Sequence, residues 1–540
     1  MLAALAACFA LSGLAALVYQ TAWTREFALV FGTSELAVAT VLAAYMGGLA
    51  LGAALVERLL PRVARPVLAY ALLELGIGAA SVVLVPLLLL ASRAALAALF
   101  GGQDAPPSSE HGGLSLYFLA SAFVVLGIPA TLMGATLPLL ARHAVREDAQ
   151  VGRRIGLLYA SNTAGAVGGA LLAAYWMLPA LGLRGTVWAA AAINVLVFLI
   201  AAIIARGAPA ARSLGTPTPL APTDGVARWV LPLMLASGAV TFFHEVLWSR
   251  MLSHLVGSSI HAFGVMVASF LTGIALGGGG GAWLATKPSR AVALFVACQF
   301  GIAITAAAAF LVLGNYIPVR ADRMGNALYG FALLLPLTMF IGATYPLAVR
   351  ILARGPEEAA GASARVYAWN TVGAILGSVS AGFVVIPALR YEGAIQAAAA
   401  ASATIAAIAA WILVRGRKWL PWAATAAALL LAVAFRPAAP VKLLLASPLD
   451  IPAEGKLLFY DVGRSADVVV LGQDGGLVLR TNGLPEAMMD TPGMAPRFSG
   501  EFWLSSLAVL ARPGTQRMLI VGYGAAWSSR ACRPRYATST

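Results

Sequence analysis

The chain has 540 residues, of which 60% are hydrophobic and only 11% are charged, and its mean hydropathy is +0.85. Soluble globular proteins carry about 25% charged residues, so this composition excludes an ordinary soluble protein and indicates a polytopic membrane protein. The net charge of +14 does not indicate nucleic-acid binding, because the basic residues lie mostly in short segments between apolar runs. The three cysteines are isolated in sequence, so neither a disulfide framework nor a metal site is expected.

Twelve apolar runs are long enough to cross a bilayer, and they form two groups of six. In the first repeat, 1–205, the predicted spans are 3–22, 36–56, 67–92, 115–141, 155–181 and 186–205. A linker rich in Pro, Ala and Thr follows at 206–228. In the second repeat, 229–416, the predicted spans are 229–247, 261–285, 291–314, 327–349, 366–388 and 393–414. An additional segment, 417–436, contains a shorter thirteenth apolar run, Trp419–Phe435.

The two groups share a sequence pattern at a fixed spacing. Ser12-Gly13 recurs 225 positions later as Ser237-Gly238, and Trp23 recurs at the same spacing as Trp248. A constant spacing over unlike residues indicates an internal duplication. The later blocks recur at a spacing of 208: Gly134-Ala135-Thr136-x-Pro138 with Gly342-Ala343-Thr344-x-Pro346, and Tyr159-x-x-Asn162-Thr163 with Tyr367-x-x-Asn370-Thr371. The difference between the two spacings means that the first repeat is 17 residues longer than the second. The extra residues lie most simply around 101–113.

Lysine and arginine predict the orientation in the membrane. Eighteen lie in one set of connecting segments: Arg58, Arg62, Arg65, Arg142, Arg146, Arg153, Arg154, Arg206, Arg212, Arg228, Lys287, Arg290, Arg350, Arg354, Arg365, Arg415, Arg417 and Lys418. Seven lie in the opposite set: Arg25, Arg93, Arg184, Arg250, Arg320, Arg323 and Arg390. The positive-inside rule therefore places the N-terminus and the 206–228 linker in the cytoplasm. Six spans per repeat make the repeats parallel, as in the halves of major-facilitator proteins.

The composition changes after residue 436, where short strands are predicted at 456–460, 466–471 and 477–480, with a hairpin turn at 472–476. A helix at 498–511 and a strand at 518–521 then lead into Gly522-Tyr523-Gly524. The predicted fold is therefore an all-α polytopic membrane protein of two parallel six-helix repeats. A thirteenth apolar segment and the beginning of an α/β domain, a β-hairpin plus the start of a Rossmann unit, complete it at 437–540.

Several blocks together resemble a family of bacterial inner-membrane proteins in which a major-facilitator-like region is fused to a spermidine-synthase-like domain. They are Ser12-Gly13 with Trp23-x-Arg25, Tyr159-x-x-Asn162-Thr163-x-Gly165-Ala166, Leu457-Leu458-Phe459-Tyr460 with Gly463-Arg464, Asn482-Gly483-x-Pro485-Glu486, and Met518-Leu519-Ile520-Val521-Gly522-x-Gly524. The resemblance implies aminopropyl transfer from decarboxylated S-adenosylmethionine, as co-substrate, to putrescine. Gly522 and Gly524 would be a remnant of the nucleoside-binding loop.

The chain departs from this family after Gly524. The third glycine is replaced within Ala525-Ala526-Trp527, and 528–540 is a polar, basic segment without helix or strand periodicity. The acidic residues that the family uses further along have no counterpart. The sequence therefore predicts a C-terminally truncated domain with no catalytic residues and no cofactor of its own, because one Rossmann strand cannot form the cofactor crevice.

Four polar residues inside the predicted spans are candidate site residues. Glu74 stands in an apolar run, and an intramembrane carboxylate is either functional or a hydrogen-bonded structural group. Its repeat counterpart is Gln299. Asn162 and Asn370 lie beside small-xxx-small patterns, so cross-helix hydrogen bonding is favoured for them over contact with a solute.

Three further features are expected to have structural roles. The small-xxx-small glycine patterns favour close helix packing over the lining of a pore. Proline kinks are expected at Pro138 and Pro346. Gln20 with Glu245, and Tyr19 with His244, are expected near the outer span ends, where an interfacial role is favoured over a ligand site; these four positions pair at the spacing of 225.

Two functions follow from the sequence. The first is a polyamine-related enzyme family whose membrane part is an anchor or conduit, with this chain catalytically incompetent. The alternative is a transporter-like membrane protein with a regulatory or vestigial appendage. Its partners would be the lipid bilayer and a small polar or cationic solute.

The sequence predicts that this chain has no aminopropyltransferase activity, since the residues that bind the donor are missing. Purified protein given putrescine and decarboxylated S-adenosylmethionine should form no spermidine by mass spectrometry. Spermidine formed by the purified protein, but not by host membranes that lack the protein, would contradict this expectation.

Overall fold

The computed structural model describes residues 1–31, 35–100, 112–207, 227–257, 260–285, 287–318, 323–353, 355–414, 416–449, 455–464, 466–473, 476–490, 507 and 510–512. The first half contains α1 (Leu2–Phe31), α2 (Glu35–Leu59), α3 (Pro66–Ala79), α4 (Val85–Phe100), α5 (Gly112–Ala144), α6 (Val151–Leu172) and α7 (Leu178–Gly207). The second half contains α8 (Val230–Val256), α9 (Ile260–Leu284), α10 (Pro288–Asn315), α11 (Arg323–Leu352), α12 (Ala359–Ser380) and α13 (Ile386–Leu413). Two further helices follow, α14 (Trp419–Ala434) and α15 (Val441–Leu445).

Ten helical segments in the described part of the chain are long and apolar enough to cross a membrane. The two longest, Asp148–Gly207 and Ala359–Leu413, each contain two of the spans that the sequence predicts separately. Each is interrupted by one residue with non-helical dihedral angles, Gly182 (φ 66°, ψ −177°) or Arg390 (φ 56°, ψ −170°). These two residues pair at the spacing of 208 and fall where the predicted spans separate. The chain is therefore a multi-pass membrane protein.

The helix contacts of the first half recur in the second half. Helix α1 packs on α6 as α8 packs on α12, α2 on α5 as α9 on α11, and α3 on α7 as α10 on α13. Trp23 of α1 and Trp248 of α8 are both fully buried. The halves meet through two equivalent helix pairs, α6 with α9 and α2 with α12. The boundaries of the repeats and of the linker stay predictions.

Glycines set the spacing of these helix pairs. A methyl group added to Gly165 would lie 1.7 Å from the carbonyl oxygen of Ala10, and one added to Gly373 would lie 1.9 Å from that of Leu235. Both are impossible contacts, so the helix backbones touch directly, as small-residue patterns in membrane helices permit. The same close approach to a backbone carbonyl is found at Gly13 and Gly238, Gly52 and Gly277, Gly134 and Gly342, and Gly169 and Gly377.

Wide π turns, not prolines, interrupt the helices. One lies at Ala173–Met177 and its counterpart at Ala381–Val385, again 208 positions apart. A third, Ala80–Leu84, has no equivalent in the second half, where α10 is continuous. Helices α5 and α11 continue through Pro138 and Pro346, and the kinks expected there stay a prediction.

Helix α14 runs antiparallel to α13. The Gln396 side chain donates to the carbonyl oxygen of Ala432 at 3.3 Å, and the Trp411 indole donates to the Thr425 hydroxyl at 2.9 Å. The beginning of α13 therefore lies beside the end of α14. At 16 residues α14 is short, but its alignment takes the chain from the face of the basic loops to the opposite face.

A four-stranded antiparallel sheet follows in the order β1-β2-β3-β4, with β1 (Lys456–Val462), β2 (Asp467–Gln473), β3 (Gly476–Thr481) and β4 (Leu484–Asp490). The first three strands match the sequence prediction, whereas β4 was not expected. Strands β2 and β3 pair antiparallel up to Gln473 and Gly476, and the central residues of the predicted turn at 472–476 lie outside the described residues. Asn482 (φ 50°) and Gly483 (φ 78°) supply the two positive φ angles of the tight turn before it. The predicted helix at 498–511 lies almost wholly outside the described residues, and the predicted Rossmann start, with Gly522 and Gly524, lies entirely outside them.

The sheet is docked on the second half. His254 at the end of α8 and Asp467 of β2 form a fully buried pair at 2.9 Å. Arg250 donates to the carbonyl oxygen of Gly463 at 3.0 Å, and the backbone N–H of Tyr391 donates to the Tyr460 hydroxyl at 3.3 Å. Burial raises the pKa of Tyr460 well above its usual value, so this phenol keeps its proton.

The glycine contacts predict a sharp difference between two alanine substitutions. Gly165→Ala should destabilise the protein by about 1–3 kcal/mol or more, because the helices must separate. Gly127→Ala should be neutral or slightly stabilising, since nothing lies within 4 Å of the added methyl group and alanine favours helix. Thermal unfolding in detergent measures both. Equal stability of the two variants would contradict the packing described.

The path of α14 predicts that the C-terminus lies on the side opposite the linker. A fluorescent protein that matures only in the cytoplasm should be dark when fused after Thr540 and bright when inserted in the 206–228 linker. Alkaline phosphatase fused after Thr540 should be active. Bright fluorescence at both positions would mean that α14 does not cross the bilayer.

Candidate functional site

Glu74 lies at the centre of a buried polar cluster in the first half. Its Oε2 accepts a hydrogen bond of 2.7 Å from the side-chain amide of Asn194 in α7. The Tyr19 hydroxyl of α1 donates to Asn194 Oδ1 at 2.9 Å, and the hydroxyls of Ser12 and Tyr70 lie beside the carboxylate. Glu74 itself is fully buried, so it faces the interior of the helix bundle and not lipid. The cluster joins α1, α3 and α7.

The second half contains the same cluster with different chemistry. Gln299 occupies the position of Glu74 and donates a hydrogen bond of 2.8 Å to the Ser237 hydroxyl. Ser402 and His244 occupy the positions of Asn194 and Tyr19. All four are buried, and within the described residues Gln299 Oε1, the Ser402 hydroxyl and both His244 ring nitrogens have no partner.

The duplication therefore keeps the position of the cluster but places the carboxylate in the first half alone. A buried carboxylate in a membrane is costly unless it is hydrogen-bonded or protonated, whereas glutamine has no such cost. Sequence analysis identified Glu74 and Gln299 but missed Asn194. The signal that could have found it is the spacing of 208, which pairs Asn194 with Ser402 as two polar residues inside apolar helices.

Asn162 and Asn370 lie at helix crossings. The Asn162 side chain donates to the carbonyl oxygen of Phe9 at 3.0 Å, across the contact between α1 and α6. The carbonyl oxygens of Asn162 and Asn370 face Gly13 and Gly238, where an added methyl group would lie 2.0 and 2.1 Å away. Both residues therefore belong to tightly packed helix pairs. A contact with solute is not needed to account for them.

Tyrosines from both halves meet where the halves join. Tyr159 of α6 stacks on Tyr345 of α11 with ring centroids 4.5 Å apart, and Tyr345 meets Tyr367 of α12 edge-on at 6.3 Å. Tyr159 and Tyr367 are repeat counterparts. Tyr345 also shares a hydrogen bond of 2.8 Å with Ser363. These aromatic rings fill the space between the halves at this level.

Two ion pairs join the halves on the face of the basic loops. Arg350 of α11 binds Asp148 through two hydrogen bonds of 3.0 and 2.6 Å. Arg365 of α12 lies 3.2 Å from Glu57 of α2. The bidentate arginine pair fixes orientation as well as distance. The described structure is therefore held closed on this face.

The residues expected near the outer span ends lie inside α1 and α8, which both extend past the predicted spans, and their depth in the membrane stays a prediction. Tyr19 and His244 are fully buried. Glu245 is two residues past the midpoint of the 27-residue α8, or about 3 Å along its axis. Its side chain lines a cleft between α8, α9 and α11, with Trp248 and Phe270.

Two solved transporter structures are similar to part of the chain at low sequence identity. The crystal structure of the E. coli fucose:proton symporter FucP matches with a TM-score of 0.47 and 15% identity, covering 75% of this chain and 98% of that one. The human organic anion transporter MFSD10 (TETRAN) matches with a TM-score of 0.45 and 12% identity, covering 75% and 99%. No family profile and no curated protein matches the chain.

The fold is a mostly helical, multi-pass membrane fold of two similarly packed halves, with a small antiparallel sheet near the C-terminus. The comparisons show no spermidine-synthase fusion.

The pairing of Glu74 with Gln299 predicts how position 74 tolerates change. The free energy of unfolding of Glu74→Gln should lie within about 1 kcal/mol of the wild-type value, because an amide oxygen can still accept a hydrogen bond from Asn194. Glu74→Leu should lose about 1–3 kcal/mol, since Asn194 is left without an acceptor. Thermal unfolding in detergent separates the two. Equal losses for both variants would show that the negative charge itself holds the cluster together.

Proposed function

We propose that this chain is a transporter-like membrane protein in which two six-helix halves rock against each other about their shared interface. The observation that carries the proposal is the difference between contacts within a half and contacts across halves. Within each half, helix backbones touch at glycines, where an added methyl group would lie 1.7–2.2 Å from a carbonyl oxygen. Each half is therefore a tightly packed body.

Contacts between the halves involve side chains more than backbone carbonyls. Gly156 and Gly264 face the methyl groups of Ala282 and Ala174, at 2.2 and 2.8 Å from an added Cβ. Side-chain contacts of this kind, stacked tyrosines and partly exposed ion pairs can separate and re-form at lower cost than direct backbone packing. Two bodies around one interface, with the site near the middle of the membrane, is the architecture of alternating access.

The ion pairs define which state the structure represents under this proposal. Asp148–Arg350 and Glu57–Arg365 close the face of the basic loops, which the positive-inside rule assigns to the cytoplasm. The proposed location is a bacterial inner membrane with the N-terminus cytoplasmic. The solute would be small and either polar or cationic. Glu74 is the candidate proton-responsive group, because it is a fully buried carboxylate whose counterpart in the second half is an amide, Gln299.

A polyamine-related role is the second candidate. It is supported by the sequence blocks that resemble the fused spermidine-synthase-like family, two of which lie in the meander β1–β4: Leu457–Tyr460 in β1, and Asn482–Glu486 in the turn before β4 and the beginning of that strand. Under this proposal the membrane region anchors the domain or conducts its substrate. The predicted extracytoplasmic position of the sheet weighs against it, since the aminopropyl donor is a cytoplasmic metabolite.

Rocking of the halves predicts reciprocal distance changes on the two faces. Spin labels at Arg153 and Glu357 report the basic face, and labels at Arg184 and Tyr316 report the opposite face, in a variant whose cysteines are replaced by alanine. Asp148→Asn combined with Glu57→Gln should lengthen the first distance and shorten the second, because the closed basic face loses both ion pairs. Pulsed electron paramagnetic resonance measures the two distance distributions.

Glu392→Gln is the matched control, because it removes the contact between Arg390 and Glu392 inside the second half and leaves the interface intact. It should not change either distribution. Uptake into proteoliposomes of a labelled organic cation, a sugar and an organic anion then tests transport directly. A single fixed distance on both faces under all these conditions would contradict the proposed function.

A further inference from the structure

The cleft that contains Glu245 differs from every other part of the membrane region described above. Its wall combines Glu245, Trp248 and Ser249 of α8 with Met266 and Phe270 of α9. The Trp248 side chain is almost fully buried, and its indole N–H has no partner within the described residues. Concave sites of this kind, apolar with a few converging polar groups, are typical of small-molecule binding sites.

The carboxylate of Glu245 is unpaired. In the described part of the chain no hydrogen bond or ion pair joins it to another residue, and no arginine or lysine lines the cleft. Glu74, in contrast, accepts a hydrogen bond from Asn194 at its Oε2, while its Oε1 has no hydrogen-bond partner among the described residues. A carboxylate within a membrane-spanning helix is unfavourable without a partner unless it is protonated, so a bound cation would stabilise its ionised form.

The first half shows that this arrangement is not required for folding. Gln20 stands where Glu245 stands, while Trp23 is retained in the position of Trp248. Tyr45 takes the place of Phe270, is buried, and reaches the sulfur of Met133 at 3.5 Å. The ring of Trp23 stacks on the ring of Tyr19, with the ring centroids 5.1 Å apart. The equivalent region of the first half is thus filled by its own side chains, and the carboxylate occurs on one side alone.

The lining selects the chemistry of a ligand. A carboxylate favours a cation and repels an anion, and the faces of tryptophan and phenylalanine attract organic cations. Methionine adds a polarisable contact. One carboxylate and one hydroxyl provide too few oxygens for calcium or magnesium, which need six or more ligands. The described residues contain no group of three side chains suited to a transition metal.

We infer that the cleft between α8, α9 and α11 is a binding site for a small organic ammonium ion, with Glu245 as the counter-ion and Trp248 and Phe270 as its aromatic walls. This inference rests on the proposed function for its meaning, since it names the class of solute that the second half would hold. The binding itself can be tested without any transport measurement.

The probe is propylammonium, measured by isothermal titration calorimetry on the full chain in nanodiscs of zwitterionic lipid. Propanol has nearly the same shape without the charge, and propionate has the opposite charge. We expect saturable binding of propylammonium and none of the other two. Glu245→Gln, which installs the residue found at position 20, should weaken binding at least tenfold. Glu245→Asp should retain most of it.

Two further variants keep the test informative if Glu245→Gln folds poorly. Trp248→Phe keeps an aromatic face and should weaken binding less than Trp248→Leu, for which we expect a loss of threefold or more. Glu392→Gln removes a carboxylate outside the cleft and should bind like the wild type. Propylammonium binding that is unchanged in Glu245→Gln, or propanol binding of equal strength, would overturn the inference.

The outcome is separable from that of the proposed function. If the spin labels show one fixed state while propylammonium binding depends on Glu245, the ammonium site stands and the transporter proposal fails. If the halves rock reciprocally but no Glu245-dependent binding is found, the transporter proposal stands and this site fails.

Discussion

The structure depends on one kind of contact, a glycine on one helix pressed against a backbone carbonyl on its neighbour. Lipid gives helices no hydrophobic reason to associate, so their association relies on close van der Waals packing and short polar contacts. Gly165 against Ala10 and Gly373 against Leu235 show the contact in each half, at nearly the same distance. Because no side chain can be inserted there, the duplicated blocks have kept these glycines while most other positions diverged.

The same duplication shows how far the sequence alone could lead. The spacings of 225 and 208 predicted the paired helices. The apolar runs predicted the separation of spans near Gly182 and Arg390, and the strand and turn pattern after residue 436 predicted the first three strands. The spacing could not reveal that Arg390 adopts a left-handed backbone where its counterpart is glycine, since that geometry is held by tertiary contacts. Arg390 lies over the Tyr460 ring at 5.8 Å, a contact between parts of the chain far apart in sequence.

Candidate site residues were harder to predict than the fold, for a physical reason. Glu74 was identified because a carboxylate in an apolar run is unusual on its own. Its partner Asn194 was not, because its role depends on the packing of α7 against α3. Glu245 was placed near a span end from the predicted bounds 229–247, whereas α8 extends to Val256. The two halves thus share a backbone plan and differ in where they keep negative charge, with Glu74 in one half and Glu245 in the other.

The attachment of the small sheet has a mechanical consequence. His254, Arg250 and Tyr391, through which it is held, all belong to the second half. If the halves change their relative tilt, the sheet moves with the second half as part of the same rigid body. The sheet therefore makes an otherwise two-fold arrangement of helices asymmetric, because it is attached to one half alone. A rigid tag fixed to β2 or β3 would therefore magnify a small rotation at the tyrosine interface into a larger displacement relative to the first half.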